Sequence, residues 1–230
     1  VKPKVLQASK HRACVASLVL FAWASIVPVE GISASSARLK NQPVITVGIY
    51  NYANAGSECL RVAEHQVAAL FAIAGVRIAW AEYSGRRLLI PSGIPAPDFS
   101  IRILNASRLR RVRQISRAEL MGEAIISSKA VETVAGRIAN VFYDRVKHVS
   151  SLWDMFPGQV LGDAMAHELG HLLLGPQHSR RGIMKADWTL RDLASSSRSG
   201  LQFSTRQVST LQRVARSLQQ DSSSIIAARR

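Results

Sequence analysis

The sequence predicts an α+β fold, and three observations carry that prediction. They are a strand, helix, strand opening within residues 44–83, a long and nearly all-apolar helix at residues 160–174, and an amphipathic helix in the tail. The segment VITVGIYNY, Val44 to Tyr52, is rich in β-branched and aromatic residues and reads as a first strand. SECLRVAEHQVAALFAIAG, Ser57 to Gly75, follows as a helix, with Ser57 as candidate N-cap, apolar residues at helical spacing and Gly75 as the stop. VRIAWAEY, Val76 to Tyr83, returns to strand character. A crossover of this kind pairs the two strands in parallel, in a right-handed unit.

After a proline-rich loop, FSIRILN, Phe99 to Asn105, alternates as a third strand. MGEAIISS, Met121 to Ser128, is short and weakly apolar, a candidate edge strand, and GRIANVFYDRV, Gly136 to Val146, reads as another strand with a polar exit. The apolar helix runs from Val160 to Leu174. In STRQVSTLQRVARSLQQ, Ser204 to Gln220, the residues Val208, Leu211, Val214 and Leu218 form one helical stripe. Residues 221–230, with the serine-rich DSSS, read as a disordered tail.

With 230 residues, 47% hydrophobic and 20% charged, the chain has ordinary globular composition and room for one substantial core. The 30 Lys+Arg against 15 Asp+Glu leave +15, which suits nucleic acid, an anionic membrane or cell-wall polymer, or acidic substrates. Yet the basic residues are scattered, as in SRLRRVR, Ser107 to Arg113, without aromatic interleaving or a helix-turn-helix or RNA-binding signature. That pattern argues against nucleic acid.

Lys2, Lys4, Lys10 and Arg12 precede the apolar run Ala13 to Val29, and the small residues of GISASSA follow, which is the layout of a secretory signal peptide. The expected organisation is a signal peptide over residues 1–34, a linker over 35–43 and the functional domain over 44–220. Left uncleaved, the first segment would serve as an N-terminal anchor and the chain's membrane contact. The expected location is secreted, periplasmic or cell-envelope. Of the two cysteines, Cys14 lies in the signal and Cys59 beyond it, so the mature domain has no intramolecular disulfide and no cysteine-based zinc site. Cys59 reads as a helix-face residue.

The chemistry concentrates in AHELGHLLLGPQHSRRGIM, Ala166 to Met184. His167 and His171 are four apart on a helix, on nearly the same face and one turn apart, which suits one shared metal ion. Glu168 is rotated by about 100° from His167, so its carboxylate reaches a water beside the metal and not the metal itself. A chance HExxH match in this composition is expected at roughly half a per cent. The helix around these residues is apolar on all sides, where two imidazoles and a carboxylate are costly unless paired or bound to metal.

A catalytic zinc site needs a third protein ligand and an open position. A downstream glutamate, as in thermolysin-like enzymes, is excluded because none follows Glu168. The candidates are His178, Asp187 and Asp192, and a set including His178 is nitrogen-rich and suits zinc. Gly175 in a left-handed C-cap and Pro176 after it would end the helix and let the chain return His178 toward the metal. Asp163, one turn before His167, is a candidate partner for that imidazole or a helix N-terminal acid. His65 and His148 read as surface or core histidines, and Tyr143 and Trp188 receive no role.

These residues resemble the metzincin clan of zinc metallopeptidases, whose pattern is HExxHxxGxxH followed by a methionine-bearing turn. His167, Glu168 and His171 match directly, Gly175 matches the turn glycine, His178 the third ligand and Met184 the Met-turn. The chain departs by one residue, running HExxHxxxGxxH. A looser likeness over residues 42–215 is to a group of exported bacterial proteins. The resemblance implies a metzincin-like fold: a twisted mixed sheet with an antiparallel edge strand, a backing helix, an active-site helix and a C-terminal helix. It also implies a Zn²⁺ cofactor, a peptide or protein substrate lying along the edge strand, and Glu168 as general base for peptide hydrolysis by metal-activated water. The competing expectation is a non-catalytic, zinc-stabilised cell-surface binding protein that holds an anionic polymer. Glu168 favours the enzyme, since a purely structural site does not require it. The sequence carries no signal for oligomeric state.

Overall fold

The computed structural model describes residues 41–82, 97–106, 121–126, 137–196 and 201–228. The signal-like segment and the basic stretch Ser107 to Arg113 lie outside them. In chain order the elements are β1 (Val44–Asn51), α1 (Ser57–Ile73), β2 (Arg77–Glu82), β3 (Phe99–Leu104), β4 (Gly122–Ile126), β5 (Arg137–Phe142), α2 (Tyr143–Leu152), α3 (Pro157–Leu174), α4 (Leu190–Ser196) and α5 (Thr205–Ala228).

The strands form one sheet in the order β2, β1, β3, β5, β4. β1 pairs in parallel with both β2 and β3, and β3 with β5, whereas β4 runs antiparallel along β5 and forms the edge. This is the mixed sheet with an antiparallel edge strand that the sequence predicts. Register explains which residues enter the core, because alternate side chains face opposite sides. Ile49 stands beside Ile101, Ile101 beside Ala139, and Ile103 beside Val141, and all are buried on one face. Each isoleucine or valine side chain here contributes roughly 1.5–3 kcal/mol on full burial, so this face anchors the sheet to the helices.

Helix α1 crosses from β1 to β2 and buries Cys59, Ala63, Val67, Leu70 and Phe71. Its N-cap is Gly56 without a side-chain hydrogen bond, one residue before the expected Ser57. Gly75 ends it as expected, at φ +72°. Helix α3 packs on α1 and carries the histidines. Gly162 permits the close approach, since a Cβ there would stand 2.9 Å from the Ala63 carbonyl oxygen. Every residue from Val160 to His171 is buried, as the all-round apolar sequence requires. Pro157 starts the helix at its first position, where a missing N–H costs nothing.

Two elements depart from expectation. Strand β5 ends at Phe142, and Tyr143–Leu152 form helix α2 where the sequence read as a strand continuing to Val146. β-propensity is high in VFY, but Asp144 accepts the Ala106 N–H at 2.9 Å in the first turn, and Val146 and Ser150 share the buried helical face. The C-terminal helix α5 runs through Ala228, so residues 221–228 are helical where a disordered tail was expected. Leu211 and Ala215 of α5 are fully buried, and the helix packs over β1 and α3. Among the described residues no helix is long and apolar enough to cross a membrane.

Candidate metal centre

His167, His171 and His178 converge. His171 Nε2 lies 3.0 Å from His167 Nε2 and 3.2 Å from His178 Nε2, and one ligand nitrogen from each ring lies within 4.8 Å of the others. The tautomers follow from the opposite ring edges. His167 Nδ1 is 2.7 Å from the Ile183 carbonyl oxygen and His171 Nδ1 is 3.0 Å from that of Gly175, and a carbonyl only accepts. Each Nδ1 therefore carries the proton and donates it, leaving Nε2 with its lone pair. The close Nε2 pair of His167 and His171 is then two lone pairs facing each other. That arrangement is repulsive unless a proton or a cation lies between them.

Burial disfavours the proton. It pushes the His167 imidazole down to about 4, with the hydrogen bond to Ile183 opposing and the two other rings assisting. His171 is lowered as well, chiefly by burial. Neutral imidazoles with free Nε2 lone pairs are the protonation state that a metal requires. Two nitrogens bound tetrahedrally to one zinc ion lie roughly 3.3 Å apart, so the 3.0 and 3.2 Å spacings fit that ion. His178 is exposed, so the site opens to solvent on its side.

The turn after α3 places the third ring. Gly175 adopts φ +89° with ψ −176°, an extended backbone with positive φ open to glycine, instead of the expected compact left-handed cap. Its carbonyl is thereby turned to His171 Nδ1. The following loop closes on itself through Ser179 N–H to Met184 O at 2.7 Å and Lys185 N–H to Gly182 O at 3.1 Å. Ile183, whose carbonyl meets His167 Nδ1, and Met184, whose sulfur lies against Gly170, are both fully buried.

Glu168 is buried against the first residue of the edge strand, and its carboxylate makes no hydrogen bond within the described residues. Burial pushes it up to about 8, and the nearby charge of Glu123 adds to the effect. Glu123 itself accepts a hydrogen bond from Asn140 Nδ2 at 3.1 Å.

The other candidates fall elsewhere. Asp192 is committed to a loop staple, accepting Lys185 Nζ at 2.5 Å, the Thr189 N–H at 2.8 Å and the Thr189 hydroxyl at 2.7 Å. Asp187 is exposed and does not join the cluster. Asp163 accepts Gln66 Nε2 at 3.1 Å and ties α3 to α1, so it neither orients His167, whose Nδ1 goes to Ile183, nor lies in the first helical turn. His65 and His148 are exposed. Cys59 is buried, with the Tyr143 hydroxyl 3.6 Å from its sulfur. Trp188 is the residue that sequence reasoning missed. Its ring stands edge-on to His167 at 5.3 Å between centroids.

No protein-family model and no curated protein matches the chain. Among solved structures the chain is similar to archaemetzincin from Methanopyrus kandleri, at 16% identity and a TM-score of 0.44, over 75% of this chain and 96% of that one. It is also similar to myroilysin, at 13% identity and a TM-score of 0.35, over 71% of this chain and 70% of that one. The geometry of the three histidines stands independently of these likenesses.

Proposed function

We propose that this chain is an exported, metzincin-like zinc peptidase that cleaves within peptide chains. The observation that carries the reading is the meeting of three imidazole Nε2 atoms with a buried glutamate next in sequence to one of them. His167, His171 and His178 would hold the ion, and three nitrogens leave zinc an open position. When bound, zinc acidifies water and polarises a peptide carbonyl. Glu168 takes the proton from the attacking water and passes it to the departing amine nitrogen. The hydrogen bonds to Ile183 and Gly175 lock two imidazoles in the tautomer that presents Nε2. Strand β4, at the sheet edge beside Glu168, offers backbone groups on which an extended peptide would pair.

The test is metal content together with cleavage of a broad peptide library. The reading expects about one zinc per chain, cleavage that stops on chelation, and recovery when zinc is restored. A fully zinc-loaded protein that cleaves nothing would leave a zinc-stabilised binding protein for anionic polymers. Export rests on the basic front and apolar run, and predicts a mature N-terminus near Ala34 to Arg38 by intact mass. A full-length cytoplasmic product would overturn it.

A further inference from the structure

We infer that Gly122 is a positioning residue for the Glu168 carboxylate and that this position admits no side chain. Gly122 pairs with Val141, so a Cβ at position 122 would point to the core face, toward α3. There it would stand 2.5 Å from Glu168 Cγ, 2.5 Å from Oε1 and 2.7 Å from Cδ. Real Cβ atoms do not approach that closely, so one partner must move.

The strand is the partner that holds its place. The neighbouring Met121 carbonyl accepts the Phe142 N–H at 2.8 Å, and register continues from Gly122 through Ile126 along β5. Phe142 is fully buried and leads directly into α2. Glu168 has several rotatable bonds and no hydrogen bond within the described residues to retain its carboxylate. A methyl group at position 122 therefore displaces the carboxylate and leaves the strand in register. The glycine makes the edge strand the wall that selects one carboxylate position. The catalytic consequence rests on the peptidase reading above, whereas the steric relation does not.

The test compares Gly122→Ala with wild type in the zinc-loaded protein. Zinc content and KM are expected to hold while kcat falls about a hundredfold, the scale set by misplacing a reacting group by about 1 Å. On a Glu168→Gln background the same substitution should bring no further loss, because both changes act through one carboxylate. An unchanged kcat, or an equal additional loss on the Glu168→Gln background, would overturn the inference. If wild type cleaves no peptide, the crystal structure of zinc-loaded Gly122→Ala decides the steric relation alone. A displaced Glu168 carboxylate supports it, and an unmoved one overturns it. Should Gly122→Ala fail to fold, the double variant Gly122→Ala/Glu168→Ala must fold, and its failure would equally overturn the inference.

Discussion

Met184 Sδ occupies the space that a side chain at position 170 would need, so the loop after His178 and the histidine helix fit together through Gly170. The glycine lies between the two helical histidines, and Phe203 closes the other side at 3.3 Å from the same Cβ position. Phe203 in turn packs edge-on against Phe71 of α1 at 5.0 Å between centroids. The methionine and the ligand helix thus share one packed contact.

Gly170→Ala should therefore destabilise the protein, against the usual helical preference for alanine of about 1 kcal/mol. Overpacking at such a contact costs roughly 1–3 kcal/mol, so a net loss of up to about 2 kcal/mol is expected. Chemical denaturation of wild type and variant measures it. A stabilised variant would show that Met184 is not packed against this helix.

His178→Ala should release zinc or weaken it greatly, while Asp187→Ala and Asp192→Ala retain it. The reason is geometric: His178 Nε2 is 3.2 Å from His171 Nε2, whereas Asp192 is occupied by Lys185 and Thr189. Zinc stoichiometry by elemental analysis of the dialysed variants separates the outcomes. Loss of metal from Asp187→Ala with retention in His178→Ala would reassign the third ligand.

Asp192 makes stability depend on pH. The hydrogen bond from Lys185 comes first among the causes that lower its carboxyl from 3.8 to about 2, with the Thr189 N–H next. A group whose folded value is depressed contributes stability that is complete above its unfolded value and disappears as pH falls through the folded one. Asp192→Asn should therefore be less stable than wild type at pH 5, with the difference closing between about pH 4 and pH 2. Urea midpoints across that range measure it, and a difference that persists undiminished at pH 2 would contradict the staple.

Much of this was legible because periodicity and spacing report local physics. The crossover from β1 through α1 to β2 showed in its strand, helix, strand pattern, and the burial of α3 in its lack of any polar face. His167, Glu168 and His171 stood out because ionisable groups in such a helix need a partner. Helix α2 was illegible because VFYDRV has strand propensity locally, and the Asp144 contact that favours a helix comes from Ala106, 38 residues away. Trp188 and Gly122 were invisible for a related reason. One matters through a ring on another element and the other through the absence of a side chain.

If Glu168 acts on water and not as a ligand, its replacement by glutamine leaves the zinc in place and removes the catalysis. Glu168→Gln keeps the side chain's size and removes the proton acceptor, so zinc content and folded stability should match wild type. Cleavage of the peptide library should fall by on the order of a hundredfold or more, the scale of a lost general base. Zinc is measured on the same samples that are assayed, so that metal loss cannot imitate the effect. A variant that is fully zinc-loaded and cleaves as fast as wild type would contradict the account.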